Sequence, residues 1–337
     1  MSDNVRLPSL STFPRLLMHH AQVRPNHPAT REKDMGIWQT WTWLQVAEEV
    51  RAMASGLAEL GFKRGDNLAI IGDNRPRLYW AMCAAQCLGG VPVPLYQDAV
   101  AAEMIFVLQD AGIKFAIVED QEQVDKLLEN MAQCPGLQHI LYDDPRGMRH
   151  YNQPFLHGLD EVQEMGRIHN RNHPEFIDGE IDLGKPEDVA VMLYTSGTTG
   201  KPKGVCQTHG AFIAAAQSGC EFDKLVPEDN ILSYLPMAWV GDHLFSFAQA
   251  TYAGFTINCP ESGDTVMTDM REIGPSYYFA PPRVFENLLT QVMIRMEDAS
   301  AIKRSMFHYF MGVARRCGAE ILDGKPVRGA DRLLYAF

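Results

Sequence analysis

The sequence predicts an α/β fold of mostly parallel sheets flanked by helices, and three observations carry that expectation. Short continuous apolar runs, the kind that strands buried on both faces need, alternate with stretches of helical period. Glycine, asparagine and aspartate close the runs, and the alternation repeats several times between Trp41 and Asp144. Apolar residues make up 46% and charged residues 21% of the 337, a folded globular mix with room for roughly two domains of about 150 residues.

From Trp41 the spacing predicts a helix: Thr42 is a candidate N-cap, and Val46, Val50, Met53, Leu57 and Leu60 follow on one face before Gly61 closes it. "NLAIIGDN", "RLYWAMCAAQCLGG" and "VPVPLY" then read as strand, helix and strand, a β-α-β unit. Ala101 to Ala111 and Gln121 to Ala132 read as helices, with "KFAIVED" and "HILYDD" as strands. Between Pro145 and Lys185 the periodicity fades and a long connection or subdomain boundary is expected. "DVAVMLY" is a strand, followed by a loop, a β-prone piece and an Ala-rich helix capped by Thr208. "ILSYLP", "GFTINCP" and "SYYFAPP" read as short buried strands, and Val284 to Met296 and Ile302 to Cys317 as helices.

Lys plus Arg total 30 against 42 acids, a formal charge of -12, which argues against nucleic-acid binding through a basic surface. Seven cysteines without a C-x-x-C pair, Cys83 and Cys87 one helical turn apart in an apolar stretch, suggest buried small hydrophobes in a reducing cytoplasm. No apolar run approaches the ~18 residues of a membrane span, so attachment to a membrane is expected to be peripheral at most. Histidines 150, 157, 169 and 173 lack metal-ligand spacing and read as solvated loop residues; no metal site is expected. "SMFHYFMGVA" reads as a core helix.

The loop "YTSGTTGKPKGV", Tyr194 to Val205, sits between two apolar segments. Gly197, Gly200 and Gly204 let backbone amides approach a ligand, Thr195, Ser196, Thr198 and Thr199 offer hydroxyls, and Lys201 and Lys203 supply charge, so phosphate is the ligand it suits. It is not a Walker A loop. The glycines before Lys201 are too close together, Pro202 stands where Ser or Thr would bind magnesium, and strand-loop-strand is expected.

Residues 194–204 closely resemble the AMP-binding signature of the adenylate-forming superfamily, and "WTWLQVAEEVRAMASGLAELGFKRGDNLAIIGDN", "AAQCLGGVPVPLY" and "YLPMAW" resemble its other early landmarks. "FAPPRVFE" is similar to the long-chain acyl-CoA synthetase branch. The resemblance implies a carboxylate activated by ATP as an acyl-adenylate and passed to CoA, with magnesium as cofactor. Thr198 and Lys201 would be catalytic, and residues Thr195 to Lys201, with Lys203 and Gly204, would bind the nucleotide. It implies two alternatives as well, a CoA ligase for another hydrophobic carboxylate such as an aryl acid and a non-catalytic nucleotide- or acyl-binding fragment. The family's Leu-Pro-x-x-His becomes Leu235-Pro-Met-Ala-Trp239 here, with His243 one turn on. Trp239 is expected at the mouth of the acyl site, and His243 as a catalytic and substrate-binding donor, against the plainer expectation that it caps a helix or pairs with Asp242. Residues 1–180 are expected to form a first α/β subdomain and 181–337 an incomplete second one. The resemblance implies that the family's later motifs and mobile C-terminal domain are absent from these 337 residues, so the chain resembles an N-terminal half and is expected to be inactive by itself.

Overall fold

A computed structural model describes residues 10–195 and 202–336. The chain divides into one compact unit up to Tyr278 and a second from Phe279 onward.

The first unit begins with helix α1 (Phe13–Val23) and a hairpin of β1 (Pro28–Asp34) and β2 (Ile37–Thr42), which the sequence reading did not foresee. Met35 (φ 47°) and Gly36 (φ 77°) both adopt left-handed backbone at its tip, the two-residue turn that matches strand twist. Helix α2 (Trp43–Glu59) opens on the expected Thr42: its hydroxyl accepts from Gln45 N at 3.3 Å while Gln45 Oε1 accepts from Thr42 N at 2.9 Å. That reciprocal capping satisfies two donors a helix start leaves free.

The alternation that follows is β3 (Asn67–Ile71), α3 (Pro76–Cys87), β4 (Val91–Leu95), α4 (Ala101–Asp110), β5 (Ile113–Val118), α5 (Gln121–Asn130), β6 (His139–Tyr142) and β7 (Leu156–Gly158). It forms a wholly parallel sheet of order β4-β3-β5-β6-β7. Successive β3 residues feed opposite faces: Leu68 and Ile70 join one core cluster, Ala69 and Ile71 the other. Pro92 and Pro94 are tolerated because β4 is an edge strand.

Two helices, α6 (Leu159–Asn172) and α7 (Phe176–Leu183), occupy the region where a connection was expected. The buried stripe of α6 is Leu159, Val162, Gln163 and Gly166, and half of it is polar or lacks a side chain, which hid the period. A Cβ on Gly166 would lie 1.7 Å from Ala52 O, and one on Gly56 would lie 2.1 Å from Val162 O. The α2–α6 crossing is therefore built on glycine. Two of the four histidines expected in a solvated loop are placed differently, while His150 and His173 are exposed as expected. His169 lies on α6 and pairs with Glu59, and His157 on β7 meets His139 at 3.0 Å.

Next come β8 (Val189–Thr195), β9 (Lys203–Thr208), α8 (His209–Asp223), β10 (Asn230–Leu232), the short α9 (Val240–Asp242), a π-helical stretch His243–Ala248, α10 (Gln249–Ala253), β11 (Thr256–Cys259) and α11 (Val266–Ile273). "SYYFAPP" supplies only an isolated bridge, Tyr277 to Ile231, in place of the expected strand. A second sheet has the order β10-β11-β1-β2, with β1–β2 antiparallel and the rest parallel. It draws strands from both sides of residue 180, and the boundary expected there lies inside the first unit.

The second unit contains α12 (Pro282–Glu297), α13 (Ala301–Leu322) and α14 (Gly329–Tyr335). On α13, Val313, Cys317 and Gly318 are buried whereas Ile302, Met306 and Tyr309 are exposed, so "SMFHYFMGVA" is less buried than expected. Among the described residues no helix is long and apolar enough to cross a membrane.

Candidate functional site

β8 and β9 pair antiparallel, with Tyr194 opposite Gly204 and Thr195 opposite Lys203. The two segments that flank the phosphate-type loop are thus paired strands, as expected, and a strand follows the loop where a helix follows a Walker loop. Ser196, Gly197, Thr198, Thr199, Gly200 and Lys201 lie outside the described residues. Thr195 and Lys203 are exposed at the loop's two ends.

Tyr194 anchors the hairpin. Its hydroxyl donates to Asp110 Oδ2 at 2.7 Å at the end of α4, and its ring meets the edge of Phe106 at 6.5 Å. Burial and the neighbouring Asp110 carboxylate push its phenol pKa upward, which keeps it a neutral donor. Gly204 has a packing reason to be glycine: a Cβ there would sit 3.0 Å from Met192 Sδ and 3.1 Å from Tyr194 Cζ, tighter than ordinary contact.

The second part of the site is the segment Ser233–His243. Trp239 is half-buried and its indole lies over Gly241, where a Cβ would come within 2.3 Å of the ring. His243 follows one turn on, its amide donating to Trp239 O at 3.3 Å. It is 1% exposed, edge-on to Phe212 at 5.1 Å and tilted against Phe247 at 5.0 Å, and neither ring nitrogen has a hydrogen-bond partner among the described residues. Burial, then the nearby His209, lower its pKa to about 3. The imidazole is therefore neutral at neutral pH, and any role it takes is as a dipolar donor. It does not pair with the adjacent acid.

Asp242 instead turns inward to residues the sequence reading passed over. Tyr79 OH donates to Oδ2 at 2.7 Å, Ser233 Oγ to Oδ1 at 2.9 Å and Asn74 Nδ2 to Oδ1 at 3.2 Å. Burial pushes the Asp242 pKa up to about 6, opposed by hydrogen bonds from Tyr79, Ser233, Ser246 and Asn74. The available signal was an acid inside an apolar stretch, together with the polar "GDN" that closes β3 and reads as nothing more than a strand stop.

A cavity of about 460 Å³ touches both parts, although of the Ser233–His243 segment Ala238 lines it and Trp239 and His243 do not. It is lined by Pro94, Leu95 and Tyr96 at the end of β4, Met104, Phe106 and Val107 of α4, Tyr194 and Pro202 on either side of the loop, and Ala238. Its wall is mainly apolar, and it lies at the carboxyl end of a parallel strand, where α/β sheets bind ligands. Among the described residues no group of three or more His, Cys, Asp or Glu is placed to hold a metal ion.

A family model described as AMP-binding enzyme matches residues 17–331. The chain belongs to the AMP-binding enzyme family. Similar proteins include the long-chain-fatty-acid–CoA ligase ACSBG1 of Bos taurus, 26% identical over 90% of this chain and 43% of that protein. The long-chain-fatty-acid–CoA ligase ACSBG2 of Xenopus laevis is 27% identical over 96% of this chain and 44% of that protein. The chain spans under half the length of these relatives. In fold it resembles an anthranilate CoA ligase, AuaEII, solved with anthranoyl-AMP (TM-score 0.69, 19% identity, 80% of this chain and 49% of that one). It also resembles a long-chain-fatty-acid-CoA ligase of Archaeoglobus fulgidus (TM-score 0.68, 17% identity, 86% and 54%). As an AMP-binding enzyme the chain has the family's N-terminal α/β architecture, mostly parallel sheets flanked by helices, as the sequence predicts.

Proposed function

We propose that the whole protein joins a long-chain fatty acid to CoA at the expense of ATP. The observation that carries this reading is the placement of a mainly apolar cavity between the two ends of the phosphate-type loop, with Tyr194 and Pro202 in its wall. A substrate with an apolar body and an anionic head fits that combination.

In the first step a carboxylate oxygen attacks the α-phosphorus of ATP, the bond to the bridging oxygen breaks and pyrophosphate leaves. In the second, the CoA sulfur attacks the acyl carbonyl, the bond to the AMP oxygen breaks and AMP departs. We assign Thr198 and Lys201 to the β- and γ-phosphates, where they stabilise charge as pyrophosphate departs. Thr195, Ser196, Gly197, Thr199, Gly200, Lys203 and Gly204 complete the cradle, Gly204 indirectly by seating Tyr194. Trp239 lines the mouth of the acyl site, and His243 offers a neutral N–H to a bound head group. A buried imidazole with two unpaired nitrogens favours a partner that completes it. Magnesium is expected with the ATP phosphates. Among the described residues no group of three or more His, Cys, Asp or Glu is placed to hold it.

The test is pyrophosphate release by the whole protein. Release dependent on palmitate, with little on benzoate or acetate, is expected; benzoate-dependent release would move the assignment to an aryl acid, and none with any carboxylate would sink the enzyme reading. Lys201→Ala and Thr198→Ala should slow adenylation by about 100-fold or more and thioester formation from preformed acyl-adenylate far less.

A further inference from the structure

Asp242 is a carboxylate 1% exposed, and among the described residues none of its hydrogen-bond partners is a cation. Its donors come from three places in the chain: Asn74 and Tyr79 around the start of α3, Ser233 after β10, and Ser246 in the π-helical stretch. The Asn74 amide also donates to Leu235 O at 2.9 Å, and Tyr79 OH lies 2.5 Å from Ser233 Oγ. One buried anion therefore ties both ends of the Ser233–His243 segment to the parallel sheet. Burying a charge among neutral groups is unfavourable, and an apolar side chain would fill the space with less penalty. The network does define a single backbone path for the segment, and that path places Trp239, clamped over Gly241, three residues before the anion and His243 directly after it.

We propose that Asp242, through Tyr79 and Asn74, is a positioning residue for the acyl site: it fixes the segment that carries Ala238 into the cavity wall beside Trp239 and His243 and so sets affinity for the fatty acyl chain, leaving the ATP half of the site untouched. This rests on the assignment of Trp239 to the acyl site. Asp242 itself touches no substrate. Its substitution should alter how the chain is held and not how the phosphate is released.

The experiment titrates the whole protein with cis-parinarate, a fluorescent polyene fatty acid that accepts energy from tryptophan, alongside KM for ATP. All five tryptophans of the sequence can donate, and transfer that falls more in Trp239→Phe than in Trp38→Phe is expected. Its absence overturns both the acyl-site assignment and this proposal. Given that signal, Asp242→Asn should raise the parinarate dissociation constant about tenfold and Tyr79→Phe about threefold, with KM for ATP within about twofold. Tyr79→Phe keeps the ring stacked at 6.3 Å on Phe247, so it carries the test if Asp242→Asn does not fold. Variants that lose thermal stability yet bind parinarate as the wild type does, or lose ATP and parinarate equally, overturn the proposal while leaving the acyl-site assignment standing.

Discussion

The hairpin of β8 and β9 and the Ser233–His243 segment both reach one cavity, through Tyr194 and Pro202 and through Ala238, and they are held in place by different means. Thr195, Lys203 and Gly204 are exposed at the hairpin end, and regular ladder hydrogen bonds hold them with one side-chain anchor, Tyr194 to Asp110. Ser233, Asp242 and His243 are at most 1% exposed and belong to almost no regular sheet; side-chain hydrogen bonds to Asn74 and Tyr79 hold that segment instead. A loop for a soluble, highly charged group needs amides and charge free in water, with stiffness supplied from behind. A wall for an apolar chain needs to be dry, and inside a dry wall every polar group must find a partner. Substitutions in the buried segment should therefore cost stability as well as the fit of an apolar ligand, whereas those of solvent-facing loop side chains should cost little stability.

The largest expected effect breaks the buried half. Asp242→Ala leaves the Tyr79 and Ser233 hydroxyls and one Asn74 contact without their acceptor and should lower unfolding free energy by about 3 kcal/mol, read as a shifted urea midpoint. Lys203→Ala at the exposed end should stay within about 0.5 kcal/mol. Comparable losses at both positions would erase the contrast.

Next in size is Gly204→Val. The added side chain meets Met192 and the Tyr194 ring at the contacts that already limit a Cβ, and overpacking of this kind costs about 1–3 kcal/mol. Tyr194→Phe should cost about 1 kcal/mol by removing the bond to Asp110, and Asp110→Asn about as much. In a double-mutant cycle the two should be clearly non-additive, since they delete the same contact. Additivity would mean that Tyr194 anchors the hairpin through its ring alone.

The same contrast explains what the sequence disclosed. The β3-to-β6 alternation was legible because its strands are buried on both faces and show as unbroken apolar runs, and Thr42 and Thr208 cap their helices as expected. The strands on either side of the loop were legible because each is a local β-prone run, and they pair as expected. Helix α6 was not, because its buried stripe uses Gln163 and Gly166 where a period search looks for apolar residues. Hairpin β1–β2 was missed although Met35-Gly36 marks a turn between polar, half-buried strands. The Asp242 network was invisible because its members stand up to 168 positions apart, and only the fold makes them neighbours.

An effect of similar size concerns pH and a third polar cluster, at the carboxyl ends of β3, β5 and β6. Arg75 binds Glu119 at 2.8 Å and the Pro260 and Glu261 carbonyls at 3.0 Å, while Glu32 stands 3.7 Å from its guanidinium. With those partners in place Arg75 offsets only part of the desolvation of Glu32, and Asp143, Asp34 and Glu119 add like charge, so burial raises the Glu32 pKa from 4.5 to about 7. A raised acid binds its proton more tightly when folded. Its stabilising contribution is therefore complete below pH 4.5 and is lost as pH climbs through 7. His20 and His209, each lowered by burial to about 4, act in the opposite sense: their contribution is present above the ordinary histidine range near 6.5 and is lost as pH falls toward 4. The two slopes oppose each other between pH 4.5 and 6.5, and above that range the Glu32 slope is no longer masked by those histidines. Between pH 5 and pH 8 the wild type should lose about 1–2 kcal/mol relative to Glu32→Gln, measured by urea unfolding of both proteins at each pH. A difference that stays flat would mean that Arg75 keeps Glu32 ionised throughout, and that this cluster, unlike the Asp242 network, is fully compensated by charge.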